Sequence, residues 1–264
     1  MEYVDIRVEV ADYIAVVTLD RPPVNALSPG MTRSLTAAFD SFTDRDDVRA
    51  VILTHAGKVF CAGADIKARV GKVYQPGDRW GHNREWRECP LSILECKKPV
   101  IAAVNGAAMG GGLGLIGSCD ILLATPNAVV GLNEINVGLL GGARRMMRLF
   151  GHSRVRRMMY NGLRMDGREL YRIGVTEACP EADELMPMAM GIAREIAAKS
   201  PTAIRLAKLA LNTIENMSLR DGYRFEQEMT AQLADSPDSQ EAMRAFLERR
   251  PARFGSGAGT AEQG

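Results

Sequence analysis

The chain opens with two stretches of alternating or continuous Val, Ile and Thr, residues 4–10 and 13–19, separated by Ala11-Asp12. Such alternation matches the two-residue period of a strand, and the pair predicts a β-hairpin. Arg21-Pro22-Pro23 ends the second strand, because proline has no N–H to offer a ladder. Ser28-Pro29 supplies a helix cap and a proline at the first helical position. Met31, Leu35, Ala38, Phe39 and Phe42 follow at helical spacing. Residues 49–54 predict a buried strand, followed by a turn and the segment Phe60-Cys61-Ala62-Gly63-Ala64-Asp65-Ile66. Residues 68–88 are polar and aperiodic, with Gly71, Pro76 and Gly77, and predict a mobile loop between helices. Residues 99–104 form another continuous apolar strand, which leads to Gly110-Gly111-Gly112-Leu113-Gly114 and a helix of about two turns. Residues 120–124 and 128–130 predict two further strands.

Strand, helix and strand recur through residue 140, which predicts an α/β layer architecture. Beyond Gly141 the pattern becomes helical. Asp166-Gly167-Arg168-Glu169 has the form of a capping box with Asp in place of Ser or Thr. Helices are expected at 201–216, 219–233 and 239–249. The chain divides on this basis into a core domain (1–200), a helical C-terminal region (201–254) and a small-residue tail (255–264) expected to be disordered.

A chain of 264 residues with 46% hydrophobic content can bury a sizeable core. With 33 basic and 32 acidic residues, the net charge of +1 makes no electrostatic case for nucleic acid or a membrane surface. The N-terminus lacks an apolar signal region and no run of about 18 apolar residues occurs, so a cytoplasmic protein is expected. Five cysteines without regular spacing fit a reducing compartment, and Cys61 and Cys119 read as core thiols. His55, His82 and His152 are far apart, so no metal site is predicted. Gly112-Leu113-Gly114-Leu115-Ile116-Gly117 satisfies the dinucleotide G-x-G-x-x-G pattern, but the next strand follows within a few residues and no acid ends it near Thr125.

Three segments carry candidate chemistry. Gly110-Gly111-Gly112 at a helix entry leaves backbone N–H groups open to an oxyanion; the alternative is tight helix–sheet packing. Ala64 ends a second strand in small residues and offers a second N–H; otherwise it is filler beside a capping Asp65. Glu134 is the only acid between Asp120 and Asp166, among apolar neighbours that favour its neutral form. It is either a proton shuttle or a helix N-terminal acid satisfied by backbone N–H groups. Arg144, Arg145, Arg148, Arg154, Arg156 and Arg157 form a basic run better explained by a solvated helix face or a subunit contact than by anion binding.

These segments, in this order, resemble the crotonase (enoyl-CoA hydratase/isomerase) superfamily. The match runs through 19–27, 60–67, 98–120, 131–142 and 245–251. The resemblance implies a spiral of ββα units with a helical C-terminal trimerisation region, assembled as a homotrimer or a dimer of trimers. It implies an acyl-CoA thioester substrate, no separate cofactor, and an enolate held by the N–H groups of Ala64 and Gly111. Pro23, Val24, Ala26, Ala62, Asp65, Ile66, Gly110, Gly114 and Asn133 would line the substrate and CoA site, with Lys67 or Arg249 near the CoA phosphates. The section 68–88 and the helices after 220 would shape the acyl pocket. Hydratases of the superfamily use two glutamates twenty positions apart. Here the second falls on Glu134 and the first on Gly114, which has no side chain to ionise. A single carboxylate suffices to move a proton between two carbons, so isomerisation of a 3-enoyl-CoA to a 2-enoyl-CoA is favoured. Hydration, with or without lyase chemistry, and non-catalytic acyl-CoA binding are the alternatives.

Overall fold

The computed structural model describes residues 2–67 and 70–254. The tail at 255–264, expected to be disordered, lies outside the described residues. In chain order the elements are β1 (Ile6–Ala11), β2 (Ile14–Leu19), α1 (Pro29–Asp44), β3 (Ala50–His55), β4 (Val59–Cys61), α2 (Asp78–Glu95), β5 (Val100–Val104), β6 (Ala107–Met109) and α3 (Gly111–Ile116). Then come β7 (Ile121–Ala124), β8 (Val129–Gly131), a one-turn 3-10 helix (Glu134–Val137), α4 (Ala143–Met146), α5 (His152–Asn161), β9 (Arg164–Asp166) and α6 (Gly167–Arg172). Four longer helices end the chain: α7 (Ala182–Ala197), α8 (Pro201–Ile214), α9 (Leu219–Ala234) and α10 (Pro237–Leu247).

The strands sort into two sheets, in the orders β1-β2-β3-β5-β7 and β4-β6-β8-β9. From β3 to β8, consecutive strands alternate between them. β3, β5 and β7 lie parallel in the first sheet, and β4, β6 and β8 lie parallel in the second. Each turn of chain thus lays one strand in each sheet before a helix or loop returns it, which is a spiral of ββα units.

Why the strands read as continuous apolar runs follows from this placement. Val51 and Leu53 of β3, with Val100, Ala102 and Val104 of β5, face the main core beneath α1. The alternate residues Ala50, Ile52, Ile101 and Ala103 face a second core closed by Leu185, Ala189, Ala193 and Ala197 of α7. Strands buried on both faces have no polar side to alternate with.

The hairpin turn sits at Asp12-Tyr13, both at positive φ (50° and 65°), one residue later than predicted. Tyr13 is held there by the Arg49 guanidinium, 4.1 Å from its ring centre. The capping Ser28 of α1 accepts from the Met31 N–H, and Asp166 caps α6 by accepting from the Glu169 N–H. The expected loop at 68–88 requires correction: α2 begins at Asp78 and runs to Glu95. Only Cys89, Pro90, Ser92 and Ile93 are buried along it, so its first half has no apolar stripe to betray a helix.

α8 is tied to the sheet by a buried cation. Lys208 donates to the Lys98 carbonyl (2.9 Å) and to Asp120 Oδ2 (2.8 Å), which also accepts from the Val100 N–H (2.7 Å). Asn25 plays a similar part at the edge of the site. Buried and at φ 50°, it donates to the carbonyls of Ala56 (3.0 Å) and Val59 (2.7 Å) and accepts from the Arg21 N–H (2.7 Å). Asn25→Ala is expected to lower unfolding free energy by about 3 kcal/mol in urea denaturation, because three half-buried backbone partners lose their bonds. A change under about 1 kcal/mol would contradict this role.

Candidate active site

One cavity, about 350 Å³, lies where the ends of β4 and β6 meet. Its geometry starts with glycine. An added Cβ at Gly63, where φ is +90°, would sit 2.8 Å from the Met109 carbonyl oxygen and 3.4 Å from the Gly111 nitrogen. The turn after β4 and the turn after β6 are therefore in backbone contact, which a side chain at Gly63 would prevent. Gly112 locks the same junction, since an added Cβ would sit 2.5 Å from the Cys61 carbonyl oxygen. Gly112 serves packing, whereas Gly111 lines the cavity.

The backbone N–H groups at this junction have a direction set by pairing. Leu27 bridges Ala64 in parallel, donating to the Gly63 carbonyl (2.8 Å) and accepting from the Asp65 N–H (3.2 Å). In such a bridge the N–H of the central residue, Ala64, points away from Leu27. Gly111 is the first residue of α3, and its N–H lies beyond the reach of the intrahelical ladder. Ala64 and Gly111 thus bring two backbone donors to one wall.

Glu134 reaches the same wall from the 3-10 turn. An added Cβ on Gly110 (φ +52°) would meet Glu134 Oε1 at 2.7 Å, so only glycine leaves room for the carboxylate there. Glu134 Oε2 is buried and has no hydrogen-bond partner among the described residues. Removal from water pushes the carboxyl above the ordinary glutamate range, while a hydrogen bond from its own backbone N–H acts in the opposite sense. The residue does open a helical turn, as one alternative held, yet the turn leaves one oxygen unsatisfied.

Of the residues expected at the site, Ala62, Ala64, Ile66, Gly110, Gly111, Gly114, Asn133 and Glu134 line the cavity. Pro23, Val24, Ala26, Asp65, Lys67 and Arg249 are not among its lining residues. Val24 abuts it, its carbonyl accepting from the Ala62 N–H (3.0 Å). Asp65 Oδ2 accepts from Arg21 Nη2 (2.8 Å), and Arg21 Nη1 donates to the Ala26 carbonyl (2.9 Å), so this charge braces the loop. Arg249 is exposed beyond α10. Helices after 220 contribute nothing to the lining among the described residues, whereas Trp86 and its neighbours on α2 do.

Two features went unread in the sequence. Leu139, Leu140 and Gly141 close one side of the cavity, and Arg145 enters it. Four other arginines of the basic run are engaged elsewhere: Arg144 with Asn216, Arg148 with Glu215, Arg154 with Glu169 and Arg156 with His152. Above Gly114 there is open space; an added Cβ would have Arg145 Nη1 as its nearest neighbour, at 3.9 Å.

Comparison with known proteins shows the family. Residues 9–257 match the family model described as enoyl-CoA hydratase/isomerase. The chain belongs to the enoyl-CoA hydratase/isomerase family. It is 37% identical over 249 residues to a protein named putative enoyl-CoA hydratase/isomerase YngF from Bacillus subtilis, covering 92% of this chain and 95% of that one. It is 35% identical over 257 residues to the short-chain-enoyl-CoA hydratase of Clostridium acetobutylicum, covering 95% and 97%. The crystal structure of an enoyl-CoA hydratase from Bacillus anthracis superimposes with a TM-score of 0.89 at 32% identity, covering 95% of this chain and 99% of that one. The fold is therefore that of the crotonase superfamily, with an acyl-CoA substrate.

A raised carboxyl pKa has a consequence for stability. The native protein binds this proton more tightly than the unfolded chain. The contribution is fully present below the unfolded carboxyl value and is lost as pH rises through the folded one. Glu134→Gln is expected to gain stability relative to the wild type on going from about pH 4 to about pH 8, measured by urea denaturation at both. Parallel pH profiles would contradict the burial of an ionisable carboxylate at this position.

Proposed function

We propose that the protein is an acyl-CoA isomerase that shifts a 3-enoyl-CoA to its 2-enoyl isomer by single-carboxylate proton transfer. The observation that supports it is the composition of the cavity wall: Glu134 is the sole acidic residue among its lining residues, and Gly114 leaves open space at the position of the superfamily's other glutamate. The thioester oxygen would accept from the N–H groups of Ala64 and Gly111. Each donor would contribute on the order of 3 kcal/mol as negative charge develops on that oxygen. Glu134 would remove the proton between the carbonyl and the double bond, and the carbon electron pair would delocalise into a dienolate. The same carboxyl would return the proton at the far end of the former double bond. Its raised affinity for a proton suits both halves of the exchange.

Hydration is the second reading, favoured by the name of the Clostridium acetobutylicum relative. Purified protein offered a 3-enoyl-CoA and crotonyl-CoA separates the two. Conversion of the first is expected to exceed hydration of the second, and Glu134→Gln is expected to lower the isomerisation kcat by about 10³-fold. Fast crotonyl-CoA hydration that survives Glu134→Gln would overturn the assignment.

The protein is also proposed to work in the cytoplasm as a homotrimer or a dimer of trimers. Leu219 (92% exposed), Phe246 (82%) and Leu247 (80%) leave apolar surface on α9 and α10 that assembly would cover. Sedimentation equilibrium is expected to give three or six chains per particle, and a monomer at micromolar concentration would refute this.

A further inference from the structure

Two arginines on the cavity wall, Arg87 and Arg145, have no part in the proton transfer, and Arg145 is the one left without a carboxylate partner among the described residues. It is half-buried, in the last turn of α4, and it shares the wall with Cys89, Pro90 and Leu115. Among the described residues it has no hydrogen-bond or ion-pair partner for its side chain. Removal from water disfavours its charge, and the nearby Arg148 cation adds to that. A guanidinium cannot relieve such a position by giving up its proton, so an acceptor is needed. Arg87, the other arginine on the wall, is already paired with Glu88 (3.3 Å). Glu134 and Arg145 form no ion pair.

The direction of the guanidinium fixes what it would meet. Gly110, against which the Glu134 carboxylate lies, and Gly114, above which Arg145 Nη1 sits, are joined by a Gly114 N–H to Gly110 carbonyl bond (2.9 Å). They are one helical turn apart, about 5–6 Å. An acyl chain that starts at the Ala64 and Gly111 amides, passes Glu134 and follows α3 therefore reaches Arg145 after a few carbons. A residue with a side chain at 114 would fill that path; glycine keeps it open.

We propose that Arg145 selects acyl-CoA substrates whose short acyl chain ends in a carboxylate, which the guanidinium binds in a two-pronged ion pair. This rests on the acyl-CoA reading of the cavity and names the class of acyl group that it takes. The planar fork of an arginine matches two carboxylate oxygens, and a cation on a partly apolar wall discriminates against a chain that ends in a methyl group.

The test compares glutaryl-CoA with pentanoyl-CoA, its methyl-ended counterpart, by isothermal titration calorimetry. Wild-type protein is expected to bind glutaryl-CoA about 10- to 100-fold more tightly than pentanoyl-CoA, and Arg145→Leu is expected to abolish the ratio. Arg145→Lys is expected to keep part of it, since the charge remains without the fork. The ratio is read because a general loss of folded protein divides out of it. Equal affinity for the two esters in the wild type would overturn the proposal without any variant. So would a preference that persists undiminished in Arg145→Leu. Failure of the underlying acyl-CoA reading has a different signature, in which neither ester binds.

Discussion

The contact between two strand-end turns is the constraint on which the rest of this molecule depends. β4 and β6 run side by side, and their C-terminal turns touch through backbone atoms alone, at Gly63 against Met109 and Gly111. That contact makes neighbours of the Ala64 and Gly111 N–H groups. Neither donor is spent on secondary structure, because one points out of a parallel bridge and the other opens a helix. The spiral topology makes this arrangement natural: each turn of the chain delivers one strand end of the second sheet to the same rim.

Against that fixed wall, Glu134 is held at a local energetic disadvantage. A buried carboxylate oxygen without a partner is costly, and the surrounding fold must over-determine its position. Gly110 does part of this by leaving the space that the carboxylate fills. The two-sided burial of β3 and β5 beneath α1 and α7 supplies the rigidity. Stability is thus spent on a group poised to take and release a proton. Arg145 shares this condition, as a second charge on the cavity wall without an acceptor among the described residues.

How far the sequence discloses this depends on which signals are local. The hairpin, the strands and α1 follow from period and punctuation, and the capping of α1 and α6 follows from Ser28-Pro29 and Asp166. Glu134 stands out because its surroundings lack other acids. α2 escapes detection because its first half has no fully buried residue and Pro90 lies inside it. β6 and β9 have three residues each, too few to show a period. Arg145 is illegible for a further reason. Nothing local distinguishes it from Arg144 and Arg148, and only the tertiary placement of α4 turns one of them into the cavity while its neighbours bond to Asn216 and Glu215. The ion pair of Asp65 with Arg21 is likewise a matter of loops that meet only in the folded chain.

The central claim is that one carboxylate, facing a thioester held by two backbone amides, moves a proton at the neighbouring carbon. Hydrogen exchange at that carbon tests it without reference to any double bond. A saturated acyl-CoA incubated in heavy water with the protein and analysed by mass spectrometry should gain deuterium beside the thioester. With Glu134→Gln the ester should still bind but gain none beyond the buffer rate. Undiminished exchange in that variant would contradict the account.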